Sequence, residues 1–101
     1  MLYKLVAPEV SNEETAIRVL QWHVQPGEPV PEQALLVELE TPKAVVEVRA
    51  KTSAVLRKVV VPDGEWLRSN DVLGVLSDAA DEAIEGIADD WSRLDVAFEA
   101  L

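Results

Sequence analysis

Leu36-Val37-Glu38-Leu39-Glu40-Thr41-Pro42-Lys43-Ala44-Val45-Val46-Glu47-Val48 is the stretch on which the fold is read. Apolar and polar residues alternate on both sides of Thr41-Pro42. A period of two places successive side chains on opposite faces of a strand. Val37-Glu38-Leu39-Glu40 and Val45-Val46-Glu47-Val48 therefore predict a β-hairpin with one set of apolar side chains inward and Glu38, Glu40 and Glu47 largely outward. Pro42 suits the second position of a tight turn, where its fixed φ fits. Lys43 then stands at the apex, away from any core. By the residues alone, the ordinary reading of such a lysine is a solvated surface side chain.

Outward from the hairpin, the same grammar repeats. Runs at 3–6, 16–24, 54–61 and 72–76 are rich in β-branched and aromatic residues. Pro26-Gly27-Glu28-Pro29 and Pro62-Asp63-Gly64 break them. There is also an internal repeat at an offset of 37 residues. Val24-Gln25-Pro26-Gly27-Glu28-Pro29-Val30 aligns with Val61-Pro62-Asp63-Gly64-Glu65-Trp66-Leu67, Leu36 with Leu73, and Leu39 with Leu76. Gly27 and Gly64 fall at matched turns that need positive φ. Gln33 aligns with Asn70, a residue type that tolerates the left-handed region. Many short strands in two copies predict a mostly β, flattened barrel or sandwich with pseudo-two-fold symmetry.

Composition narrows the function. The chain has 101 residues, enough for one small domain, and no cysteine. Disulfides, thiolate metal sites and cysteine nucleophiles are excluded. A single histidine, His23, leaves no histidine-rich metal site, and on a strand it reads as a packed or surface residue. Net charge is −10. That sign repels phosphate backbones and anionic lipid, so neither nucleic acid nor membrane is an expected partner. No apolar run reaches the length of a membrane span, and the N-terminus lacks the pattern of a signal peptide. The expected compartment is the cytoplasm, or an organelle matrix after loss of a presequence.

Charge and periodicity both change after Ser77. Residues 78–101 hold eight acids against Arg93 alone, net −7. Ile84, Ile87, Trp91, Leu94, Phe98 and Leu101 are spaced 3, 4, 3, 4, 3. This heptad-like seam predicts an amphipathic α-helix. Ser77 or Asp78 would cap it, and Asp81, Glu82 and Glu85 would suit its positive end. The expectation is a β domain over 1–77 and an acidic helical tail over 78–101, whose 84–101 face docks on the barrel or on a partner.

Glu38-Leu39-Glu40-Thr41-Pro42-Lys43-Ala44 resembles the modification hairpin of lipoyl domains, whose usual form is Glu-Ile-Glu-Thr-Asp-Lys-Ala. Pro26-Gly27-Glu28-Pro29-Val30 resembles the Gly-Asp-x-Val turn of the same family, Val61-Pro62-Asp63-Gly64-Glu65 resembles its second copy, and Trp22 falls where the family often has tryptophan. The resemblance spans residues 2–78. It implies two four-stranded sheets related by a pseudo-two-fold axis. It also implies lipoic acid in amide linkage to Lys43, with Glu40, Thr41, Pro42 and Ala44 read by a lipoate ligase or lipoyl transferase. The implied role is a non-catalytic swinging arm. It would serve the dehydrogenase, acyltransferase and dihydrolipoamide dehydrogenase components of a 2-oxoacid dehydrogenase-type system. Three departures stand out: Pro42 in place of aspartate, Gln33 and Asn70 in place of glycines, and Ala54 in place of another glycine. Biotin carriers share the fold, but their lysine sits between methionines, whereas Pro42 and Ala44 flank Lys43. An unmodified structural domain is the remaining alternative.

Overall fold

The alternating runs become strands that pair into two sheets. The computed structural model of the chain describes residues 1–8, 16–84 and 91–101. Within them lie β1 (Leu2–Val6), β2 (Ile17–Trp22), β3 (Pro29–Val30), β4 (Leu35–Glu40), β5 (Val45–Ala50), β6 (Ala54–Val59), β7 (Trp66–Leu67), β8 (Val72–Ser77), β9 (Ser92–Arg93) and β10 (Val96–Ala100). One sheet has the order β3-β6-β8-β1-β9, the other β10-β5-β4-β2-β7. The β1–β9 pair is parallel and the others are antiparallel.

The 37-residue repeat is a structural repeat. It maps β2, β3 and β4 onto β6, β7 and β8, and the two sheet orders then correspond strand for strand, with β5 answering β1. Gly27 and Gly64 have φ of 93° and 83°. Gln33 and Asn70 have φ of 73° and 72°, the same left-handed turn without the glycine. The hydrogen bonds repeat as well. Gly27 N–H donates to Leu56 C=O and Gly64 N–H to Val19 C=O, both at 2.7 Å. Even the irregularities match: Leu20 and Arg57 interrupt their ladders, as do Leu36 and Leu73. A bulge breaks the period of two, so Leu36 and Val37 are both buried although adjacent.

Between the sheets lie Leu5, Ile17, Val19, Leu36, Leu39, Val48, Leu56, Leu73 and Leu76, all fully buried. Trp22 closes one rim. Its indole N–H donates to Val61 C=O at 2.8 Å, and its ring sits 3.0 Å from where a Cβ on Gly74 would be. A side chain at Gly74 would also meet the Lys58 carbonyl at 2.9 Å, so the close approach requires glycine there.

The tail is not helical where it is described. Trp91, Leu94, Phe98 and Leu101, four members of the expected seam, lie in a segment of two strands and a link; Ile84 is outside any helix, and Ile87 lies outside the described residues. The 84–101 helix and its docking face are therefore withdrawn. Neither Ser77 nor Asp78 caps a helix: Ser77 is buried in β8 and Asp78 binds the N-terminal amine. The physical reason lies at the sheet edges. β1 and β5 each present an open row of backbone groups in the repeat alone, and β9 and β10 pair with those rows. Each four-stranded sheet thus becomes five-stranded. Leu94 and Asp95 carry the chain from one sheet to the other. Leu94 is 3% exposed, its N–H donates to Lys4 C=O, and Lys51 N–H donates to Asp95 C=O, each at 2.9 Å.

Just past the end of β8 the N-terminal amine of Met1 contacts Asp78 and Glu82, both at 2.6 Å. These hydrogen bonds, Asp78 first, raise the amine pKa above its usual 8.0. The same bond lowers the Asp78 carboxyl below 3.8.

Candidate functional site: the Thr41–Ala44 tip

The β4–β5 hairpin ends in its last strand pair at Glu40 and Val45. Beyond it, Thr41 N–H donates to Ala44 C=O at 2.9 Å. The Thr41 hydroxyl then uses its full capacity. Its O–H donates to Ala44 C=O at 3.1 Å, and its oxygen accepts from Lys43 N–H at 3.3 Å and Ala44 N–H at 3.1 Å. A threonine side chain here takes N–H groups that a turn would otherwise give to a backbone carbonyl. Neither a cis peptide nor a positive φ is used at Pro42 or Lys43. The fixed φ of Pro42 and the hydroxyl of Thr41 together hold the apex in shape.

Lys43 and Pro42 are exposed, while Thr41, Ala44 and Glu40 are half-buried. Among the described residues Lys43 makes no ion pair. The amine is therefore presented to solvent from a braced turn. Below it, each outward glutamate of the hairpin itself has a cationic or histidine partner. Glu40 pairs with Arg18 at 3.3 Å, Glu47 with Arg49 at 3.4 Å, and Glu38 with the Nε2 of His23. Sequence reasoning placed Glu40, Thr41, Pro42, Lys43 and Ala44 together, and the structure brings all five to one tip. It did not find the bracing by Thr41, although a threonine two residues before the apex is the signal for it. It also missed that β10 runs along β5 as far as Leu101 N–H, which donates to Val45 C=O at 2.8 Å. Among the described residues no cluster of potential ligands could hold a metal, and no helix is long and apolar enough to cross a membrane.

The chain is thus a pseudo-symmetric two-sheet sandwich with an exposed lysine on a braced hairpin. Residues 4–76 match the family described as "Biotin-requiring enzyme", Biotin_lipoyl, and the chain belongs to it. It is 35% identical over 78 residues to the dihydrolipoyllysine-residue succinyltransferase component of the 2-oxoglutarate dehydrogenase complex of Pseudomonas aeruginosa, covering 77% of this chain and 19% of that protein. It is 40% identical over 60 residues to the corresponding component of Azotobacter vinelandii, covering 59% and 15%. The solved lipoyl domain of the Azotobacter 2-oxoglutarate dehydrogenase complex superposes with a TM-score of 0.63 at 33% identity, covering 74% of this chain and 95% of that one. The chain thus spans a fifth or less of these curated relatives. It is a lipoyl carrier domain, and biotin is not the favoured group. Strands β9 and β10 lie beyond the family match.

Proposed function

We propose that Lys43 is the residue acylated by lipoic acid. We further propose that the chain carries acyl groups and electrons among the components of a 2-oxoacid dehydrogenase-type complex, without catalytic groups of its own. The observation that supports this reading is the braced apex: one exposed lysine, set beyond the last strand pair, with Pro42 and Thr41 fixing the turn. When attached, the dithiolane supplies the acyl and redox chemistry. The chain supplies the mount. A rigid hairpin offers the same amine to the attaching ligase each time, and the long lysyl stem lets the attached group reach separate active sites. The expected compartment is cytoplasmic or an organelle matrix.

Intact mass after incubation with a lipoate–protein ligase, ATP and lipoate tests this. One lipoyl addition is expected, mapping to Lys43. The Lys43→Gln chain should keep its melting temperature and take none. Labelling at Lys4, Lys51 or Lys58 would refute the assignment. Moving the lysine by one place, with Pro42→Lys and Lys43→Ala together, should slow labelling sharply because the amine leaves the apex.

A further inference from the structure

The outer face of the lysine-bearing sheet has a feature that attachment at Lys43 leaves unused. In the row below the tip, Arg18 stands opposite Glu40 on one side and Trp66 on the other. Trp66 is 65% exposed. Its indole is nonetheless held: the Arg18 guanidinium lies 5.9 Å from the ring centroid and is itself tied to Glu40. The repeat does not require an indole here, because the equivalent position is Pro29. In the next row Glu38, Glu47 and Glu99 face one another across β4, β5 and β10. Like charges directly opposed weaken strand pairing. His23 and Arg49 answer the first two, and among the described residues Glu99 has no ion pair. An exposed aromatic and an unanswered carboxylate on one face break local rules that serve folding. Such breaks are expected where a surface serves function instead.

We infer that this face is where the ligase that modifies Lys43 docks, through a cationic surface with an apolar socket for Trp66. The inference rests on the reading of Lys43 above. Position supports it: Glu40 adjoins Thr41, so a protein that encloses Lys43 meets the Trp66–Arg18–Glu40 row. Charge selects the occupant. A second copy of this chain, at net −10, would be repelled, whereas a basic surface would be attracted and steered. Aromatic residues fixed at the centre of a contact are the usual energetic anchors. Glu99 comes from β10, outside the family match, so the contact extends past the shared domain.

The test uses the full chain and a purified lipoate–protein ligase. Trp66→Ala should raise the KM for the chain about tenfold with kcat unchanged, the pattern of lost uniform binding. Glu99→Lys should also raise KM and flatten its dependence on salt. Glu32→Lys makes the same charge change at the far end of the hairpin sheet and should leave KM within twofold. Equal KM for wild type and Trp66→Ala, or equal effects of Glu32→Lys and Glu99→Lys, would overturn the inference. Calorimetric binding of the Lys43→Gln chain to the ligase separates this claim from the attachment claim. Affinity that Trp66→Ala removes supports the face even if the wild type gains no mass. Affinity that Trp66→Ala leaves intact refutes it.

Discussion

Two ends of the sandwich are related by the repeat, and they are finished differently. At one, Thr41 N–H donates to Ala44 C=O at 2.9 Å; at the other, Asp78 N–H donates to Met1 C=O at 3.3 Å. The backbone bond is equivalent. At the first end the chain continues through Pro42 and Lys43, and the Thr41 hydroxyl makes three further hydrogen bonds. At the second end two separate strands meet, and exposed ion pairs join them. Covalent continuity plus a side-chain brace makes a rigid apex, whereas surface ion pairs hold an end weakly. Only the braced end presents a lysine. The tail adds a second asymmetry: β9 gives two residues to β1, while β10 gives five to β5, the strand descending from the tip.

The sharpest test of this comparison is Leu94, which plugs the side where the tail crosses between sheets. Leu94→Ala should cost about 2–5 kcal/mol, as buried leucines do. At ~4–8 °C per kcal/mol for a domain of this size, thermal unfolding should shift by about 8 °C or more. A shift of a degree or two would mean the tail merely rests on the sandwich. Next comes the brace. Thr41→Val keeps the shape and loses the hydroxyl, costing about 1 kcal/mol in denaturant melts. Lys43 labelling should slow with it, and an unchanged rate would show that the ligase reshapes the turn itself.

The repeat predicts a smaller contrast between its two left-handed turns. A non-glycine residue there costs roughly 1–2 kcal/mol, less for asparagine, while glycine adds about 0.5–1 kcal/mol of unfolded-state entropy. Gln33→Gly should therefore stabilise by about 0.5–1 kcal/mol, and Asn70→Gly by close to nothing. Equal gains would mean that the turns are not equivalent in strain. Glu99→Gln should stabilise by a few tenths of a kcal/mol by relieving the charge opposite Glu47.

The least effect is expected at the unbraced end, by pH. Asp78 is lowered, so its contribution is present above 3.8 and fades as pH falls through its native pKa. The N-terminal amine is raised, so its contribution is present below 8.0 and fades as pH rises through its native pKa. Acetylating the amine should flatten both limbs of a melting-temperature profile, and an unchanged profile would show that the pairs contribute nothing.

The hairpin, the 37-residue repeat and the place of Lys43 were legible in the residues because each is local. Alternation at 36–40 and 44–50 needs only the pleat, and Pro42 needs only its ring. The turns at Gly27 and Gly64 carry their own conformational signal. The bracing by Thr41 was within reach, since its partners lie two and three residues away. The tail was not. The spacing from Trp91 to Leu101 fits a helix face, and Leu94, Val96, Phe98 and Ala100 fit a strand equally well. Periodicity cannot choose between them. The choice was made by the unpaired edges of β1 and β5, which exist only once the two sheets are assembled, and by the gap that Leu94 fills. Strand pairing joins residues distant in sequence, such as Glu47 and Glu99, so its hydrogen bonds and the surface it creates belong to the tertiary structure alone.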